Sequence, residues 1–397
     1  MTREEARTTR TAVVIGGGIG GLASGVALAR HGWDVTVVER ATSLDPVGAG
    51  IVVAPNAVRS LDALGVGDAT RDLAALQGEL GLRRPDGTWL VRGRAEGAES
   101  VFGDRTLMLH RAQLVGLLAD ALPAGALRLG ATATVTDPGT TSRPARVTTT
   151  DGAGATTETD ADLVVAADGI DSATRTRWWP SAPAPASGGS TAWRFVAPAV
   201  PGVVGSEIWG RGIVAGVMPL ADGRVYVYVS VADAVGVPRD LDELRARLAD
   251  WHDPIPALLA SVDDATALRH ELRHLPAPPA SLASGRVALV GDAAHAMLPN
   301  LGQGGCQALE DGVVLGARVR PHDDVAAVLL RWSAERRPRV ARVMRLSARI
   351  SGPTLWTSPA ATTLRDAGMR AVGRWTEALG SRALRPIMAW RAPEEST

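Results

Sequence analysis

Apolar and polar positions follow three rhythms along this chain. Unbroken apolar runs predict strands buried on both faces: Val13-Val14-Ile15, Trp33 to Val38, Leu163 to Ala167 and Val287 to Val290. Helical spacing predicts helices over Leu22 to His31, through Leu114, Leu117, Leu118, Ala121 and Leu122, and from Gly304 through Leu309, Val313 and Val314. It also predicts a helix over Leu241 to Leu259 and a long one over Asp324 to Arg349, interrupted by Pro338. Strict alternation appears at 224–230. There Arg224, Tyr226, Tyr228 and Ser230 share one face and Val225, Val227 and Val229 the other. The valine face suits a core. The other face lines a cavity or is wet, and the chain's two tyrosines both falling on it favour a cavity.

Further strand character lies at Thr191–Ala197, Glu207–Trp209 and Gly212–Met218, with Trp193 and Arg194 on opposite faces of their strand. Residues 78–103 read as short strands joined by Pro85-Asp86-Gly87 and the glycine-rich stretch Arg92 to Gly103. Residues 126–166 read as a meander. Pro180 to Gly189 reads as a crossover between lobes. The arginine-rich tail, with Trp356, Trp375 and Trp390, reads as helical and without evident chemistry.

Composition narrows the classes. At 397 residues the chain is long enough for two or three lobes, and 46% apolar content with a formal net charge of +0 gives no electrostatic footprint for nucleic acid or an anionic membrane. No apolar run reaches the ~18 residues that span a bilayer. The start, Met1 to Arg10, is polar rather than signal-like. Cys306 is the single cysteine, which excludes an internal disulfide and fits a reducing cytoplasm. All 42 basic residues are arginine, which excludes any mechanism needing a lysine. No metal-ligand pattern stands out.

The first strand runs into Gly16, Gly18 and Gly21, spaced G-x-G-x-x-G, with Gly20 between. Gly16 permits the tight turn, Gly18 lets backbone N–H groups approach a pyrophosphate, and Gly21 lets helix and strand pack closely. The helix N-terminus adds partial positive charge where phosphates would lie. Glu39 follows Gly21 by 18 residues (39 − 21), where a carboxylate accepts from a ribose hydroxyl. This βαβ fingerprint leaves FAD and NAD(P) open. Gly50, in a loop-like stretch after Asp45-Pro46-Val47-Gly48, permits close approach to a flat ligand or makes an ordinary turn. Arg111 opens a helix, where the macrodipole would prefer an acid. It serves a phosphate or flavin edge, or is a solvated arginine.

Two further strand ends carry chemistry. One strand ends in Asp168-Gly169 and another in Gly291-Asp292-Ala-Ala-His295-x-x-x-Pro299-x-x-Gly302-Gln303-Gly304-Gly305. Open α/β sheets bind ligands at such carboxyl ends, and a glycine-rich helix start is a ready anion site.

These three motifs in this order resemble the single-component FAD-dependent aromatic hydroxylases, near the salicylate, 3-hydroxybenzoate and urate hydroxylase branch. The stretch Gly50 to Ala57 and the His110-Arg111 helix start are also similar to them. The resemblance implies an α/β fold: a Rossmann-type FAD-binding domain from residues 1–79, 105–180 and 281–350, with an inserted mixed β-sheet substrate domain from 80–104 and 181–280. A C-terminal helical segment, 351–397, would follow. It implies FAD over Gly16–Gly21 with its adenosine ribose on Glu39, Arg40 and Arg111 beside the nucleotide, and Asp168-Gly169 serving FAD and NAD(P)H. Asp292 would accept from the ribityl hydroxyls, and the Gly302–Gly305 helix start would face the flavin N1 and C2=O.

The implied chemistry is NAD(P)H-driven hydroxylation of a small aromatic or heteroaromatic substrate by O₂ through a flavin C4a-hydroperoxide, in a monomer or homodimer. NAD(P)H would act as a transient reductant. A different flavin oxidoreductase (an oxidase, or an epoxidase of a secondary metabolite) or a non-catalytic flavin-binding module are the other readings. The residues suggest a substrate pocket of Arg194, Trp209, Arg224, Tyr226, Tyr228 and Pro299. Arg194 would hold a carboxylate or oxyanion, or make a plain ion pair. No catalytic base stands out. His295 reads as structural or flavin-adjacent, and Cys306 as buried helix.

Overall fold

The apolar runs assemble first into a sheet with the strand order Ala283–Ser284, Val287–Leu289, Leu163–Ala166, Thr11–Ile15, Asp34–Val38, Leu127–Arg128. Every pairing is parallel except that of the edge strand Ala283–Ser284. A computed structural model of the chain describes residues 10–44, 49–76, 79–373 and 384–393. Val14, Val37, Leu163 to Ala166 and Val287 to Leu289 are fully enclosed in one core shared with helix Ile19–Arg30 and with Val135, Ala145 and Val147 of the strands Thr132–Asp137 and Ala145–Thr150. The strand Thr11–Ile15 lies between a strand that follows it directly and one from much later in the chain. A ligand crevice therefore opens at its carboxyl end.

Helix Ile19–Arg30 packs on this sheet and against helix Gly304–Arg318. Small residues set how closely the two helices approach. A Cβ at Gly312 would lie 2.7 Å from the backbone nitrogen of Ser24, and one at Gly316 would lie 2.7 Å from Cβ of Ala27.

The second sheet has seven strands in the order Leu268–His274, Ala186–Ala197, Val225–Ala232, Ile213–Pro219, Ser206–Trp209, Glu79–Arg83, Trp89–Arg94. Segments far apart in the sequence, 79–94 and 186–274, thus share one sheet. Its outer face buries Val225, Val227, Val229 and Val231 against Leu241, Leu244, Ile255 and Leu258. Two three-stranded sheets complete the fold. Gly50–Val53, Leu107–His110 and Ala75–Leu76 form one, and Thr132–Asp137, Ala145–Thr150 and Thr156–Ala161 form the meander.

Three sequence expectations change, and the helical reading of the tail holds at Pro359–Gly373. Helix Val325–Thr354 runs through Pro338 without interruption: Pro338 is exposed, while Arg336 and Val340 on either side are anchored in the interior. The stretch 241–259 divides into helices Leu241–Arg247 and Ile255–Ala260, because Pro254 starts a new helix more readily than it continues one. The glycine-rich stretch 92–103 holds a helix, Ala95–Phe102. Trp375 and the loop residues Asp45-Pro46-Val47-Gly48 lie outside the described residues.

Candidate cofactor and substrate site

One cavity of about 920 Å³ runs from the glycine loop of the first sheet to the inner face of the second. Its first end is built by backbone. Gly16 has φ +105, a conformation that L side chains rarely adopt, and a Cβ there would stand 2.4 Å from the carbonyl oxygen of Ala167. A Cβ at Gly21 would stand 1.9 Å from the carbonyl oxygen of Gly16. These two glycines are needed for the turn and the helix packing. Gly18 and Gly20 line the cavity, and a Cβ on Gly18 would meet nothing within 4 Å. The first turn of helix Ile19–Arg30 therefore presents unpaired N–H groups to open space.

Glu39 supports this loop. Its Oε2 accepts from the Gly17 N–H at 2.6 Å and its Oε1 from the Ala41 N–H at 2.9 Å. Each carboxylate oxygen keeps a lone pair for a further donor. Arg40 is exposed and outside the cavity. Arg111 lines the cavity at the start of helix Arg111–Asp120; its backbone N–H donates to the Ala49 carbonyl at 2.9 Å, and its guanidinium makes no hydrogen bond or ion pair among the described residues.

Asp292 follows the strand Val287–Leu289 and opens onto the cavity, with no hydrogen-bond partner among the described residues. The turn that carries it is held from beneath. The Gly291 N–H donates to Asp311 Oδ2 at 3.0 Å, and His295 Nε2 lies 2.6 Å from the same oxygen. Arg336 joins Asp311 at 2.8 Å and Glu310 at 2.7 Å, and Asn56 donates to Glu310 at 2.7 Å. His295, Glu310 and Asp311 are fully enclosed. Burial pushes the Asp311 carboxyl up, but the His295 and Arg336 charges outweigh it and hold its pKa below the ordinary value. His295 is thus tied into the interior and does not reach the cavity.

Gly302, Gly304 and Gly305 line the cavity at the start of the 15-residue helix Gly304–Arg318, and a Cβ on Gly304 would meet nothing within 4 Å. The Gln303 side chain turns the other way. Its Oε1 accepts from Asn56 at 3.0 Å inside the buried network. Gly169 lines the cavity, whereas the Asp168 carboxylate accepts from the Ser172 hydroxyl at 2.6 Å and the Thr174 N–H at 3.1 Å, fixing the start of the next helix.

At the second end the cavity is lined by Arg194, Tyr226, Tyr228, Ser230 and Pro299. Two of the pocket candidates lie elsewhere. Arg224 sits at the solvent-exposed turn before its strand and pairs with Asp222 at 2.7 Å. Trp209 shares the cavity face with Glu207 but is not part of the cavity lining; Arg365 lies over its ring at 5.4 Å. Regular pairing starts at Val225, so the alternation of this strand does not reach Arg224. Sequence reasoning missed Glu207, which lines this end, as does His270. Glu207 precedes Trp209 by two residues, so the two share one face of their strand. Gly50 lines the cavity too, where a Cβ would stand 2.6 Å from Cγ of Tyr226.

An open cradle of backbone N–H groups, a free carboxylate at Asp292 and a second carboxylate at the glycine loop fit an extended dinucleotide carrying hydroxyl groups. Comparison with known proteins specifies which one. Residues 9–347 match the FAD binding domain family. An aurachin C monooxygenase/isomerase of Stigmatella aurantiaca is 35% identical over 373 residues, covering 92% of this chain and 94% of that protein. An FAD-dependent urate hydroxylase of Klebsiella pneumoniae is 34% identical over 338 residues, covering 83% and 86%. Among solved structures, Klebsiella pneumoniae HpxO complexed with FAD and uric acid superimposes with a TM-score of 0.82 at 30% identity, covering 96% of both chains.

The fold and site define a single-component FAD-dependent aromatic hydroxylase. The chain belongs to the FAD binding domain family, and its cofactor is FAD. No helix among the described residues is long and apolar enough to cross a membrane. No cluster of three or more His, Cys, Asp or Glu residues among them could hold a metal ion.

Proposed function

We propose that this enzyme uses NAD(P)H and O₂ to hydroxylate a small heteroaromatic or aromatic compound bearing an acidic ring group or a carboxylate. The observation that carries the reading is Arg194. It is the cation at the sheet end of the cavity, and its guanidinium makes no hydrogen bond or ion pair among the described residues. A guanidinium left without a partner in such a cavity favours a ligand that supplies the negative charge, and its fork suits a carboxylate or ring oxyanion. The likeness to a urate hydroxylase, and to a protein bound to uric acid, supports a ring of this kind.

In this reading Asp292 accepts from hydroxyl groups of the cofactor, Glu39 from its ribose, and the N–H groups at Gly18–Gly20 meet its phosphates. The Gly304 helix start would hold the ring system, its fixed N–H dipoles favouring negative charge there. FAD supplies the redox and oxygen chemistry. The chain binds and orients the ring and keeps water out, because water in the site diverts the reaction to hydrogen peroxide.

The test is a screen of purines, quinolines, phenols and aromatic acids for stimulated NAD(P)H oxidation, with product masses raised by one oxygen atom. Acidic rings should stimulate and yield the oxygenated product. Absence of oxygenated product across all classes, from a fully FAD-loaded protein, would overturn the reading.

A further inference from the structure

A single row of residues crosses four strands of the second sheet at the cavity. Arg194 is opposite Tyr228, Tyr228 is opposite Gly216, and Gly216 is opposite Glu207. Residues in one such row share a face of the sheet. Gly216 leaves a gap in the row, and Tyr228 fills it. A Cβ on Gly216 would stand 2.0 Å from Cε1 of Tyr228, so the ring lies flat over the glycine. Its hydroxyl thereby reaches across one strand and donates to Glu207 Oε1. Trp209 Nε1 donates to the other oxygen, Oε2, at 3.0 Å. Both neighbours of Glu207 are donors, so the arrangement suits its ionised form.

We propose that Tyr228 and Glu207 form a two-step proton acceptor for the substrate, selecting rings that carry an acidic N–H or O–H. This rests on the reading of the cavity as the hydroxylation site. The donating hydroxyl of Tyr228 leaves its oxygen lone pairs free toward the cavity. A ring N–H or O–H gives its proton to the Tyr228 oxygen, while Tyr228 gives its own to Glu207. The products are a ring anion, a neutral tyrosine and a neutral carboxylic acid, so charge and protons balance. Arg194, opposite Tyr228, stabilises the ring anion. That anion is richer in electrons and a better acceptor of an electrophilic oxygen atom.

The environment matches the roles. Enclosure raises the Glu207 carboxyl above its ordinary value, which the bonds from Tyr228 and Trp209 only partly offset, making it a stronger base. Enclosure and the neighbouring Glu207 charge raise Tyr228 well above its ordinary value, so it passes a proton on rather than holding a negative charge. Tyr226, Arg194 and His270 are the other titratable or charged groups at this end of the cavity. Tyr228 touches the ring. Glu207 acts through it and is a positioning and proton-holding residue.

The experiment uses the FAD-loaded enzyme with uric acid, 4-hydroxyquinoline and 4-hydroxybenzoate, each beside a derivative methylated at its acidic N or O. Binding is read from the perturbed flavin absorbance, and turnover from oxygenated product. Wild type should bind at least one acidic ring about tenfold or more tightly than its methylated form. Glu207→Gln should retain FAD, lose that preference, and lose about 100-fold in oxygen transfer. The rising acid limb of its pH profile should disappear, and Glu207→Asp should recover part of it. Equal binding of both members of every pair, or a Glu207→Gln enzyme with its preference and acid limb intact, would overturn the proposal. Binding without any oxygenated product would instead overturn the reading of the site as a hydroxylase. A Glu207→Gln enzyme that loses FAD, with Glu207→Asp losing it equally, would show a folding role and also overturn the relay.

Discussion

Gly50 and Tyr226 are fitted to each other across the two lobes: a Cβ on Gly50 would stand 2.6 Å from Cγ of the tyrosine ring, and 2.4 Å from Cε of Met108. This contact joins the small sheet beside the cofactor cradle to the sheet that carries the substrate row. Gly50→Ala should therefore cost about 1–3 kcal/mol, as overpacking does. It should also shift Tyr226. A lowered thermal midpoint with weaker FAD retention is the expected result, and an unchanged midpoint would show that the ring moves aside freely.

Asp292→Ala should weaken FAD binding by about tenfold to a hundredfold, since a hydrogen bond from a hydroxyl to a carboxylate contributes roughly 1.5–3 kcal/mol. Flavin fluorescence released on dilution measures this. Undiminished retention would mean that this carboxylate does not meet the cofactor.

Arg336→Met should destabilise the protein by about 3–5 kcal/mol, because it leaves Glu310 and Asp311 enclosed with one guanidinium fewer. Urea unfolding checks the magnitude. The Gly291 turn hangs from Asp311, so FAD affinity should fall in the same variant. A stable protein with loosened flavin would show that the network serves the turn more than the fold.

Tyr226→Phe removes a hydroxyl without shrinking the ring. FAD content should stay normal and NAD(P)H consumption should continue. Less product and more hydrogen peroxide should form, because a displacement of even ~1 Å in substrate position costs on the order of 100-fold. A wild-type ratio of product to peroxide would exclude the hydroxyl from positioning.

Cys306 should be inert in the folded protein. Burial pushes its thiol up to about 12. The raised value favours the neutral thiol, so at pH 8 about one molecule in 10⁴ carries the thiolate. Reaction with a maleimide should appear only on unfolding. Prompt labelling of the native protein would mean that the helix start at Gly304 opens readily.

The sequence by itself determined the nucleotide-binding half. A strand, a glycine turn, a helix and a terminal acid are contiguous, so local geometry alone dictates where Gly16, Gly18, Gly21 and Glu39 lie relative to one another. The strand-end motifs at Asp168 and Asp292 were legible for the same reason. Local pattern could not say which polar side chains face the ligand. Asp168 and Gln303 belong to motifs, yet their side chains cap a helix and join a buried network.

Tertiary structure decided the substrate end. Arg194, Gly216, Tyr228 and Glu207 come from four strands, and only sheet register brings them into one row. Register is a property of paired strands, not of any one of them, so a period of two predicted the face of Tyr228 but not its partner. Placing Trp209 and Arg224 in the pocket failed there as well. Trp209 shares the face of Glu207, but its ring packs against Glu207 and Arg365 outside the cavity lining, and the strand begins one residue after Arg224. The glycine that lets Tyr228 reach Glu207 has no side chain to announce it. Its meaning exists only once the neighbouring strand is in place.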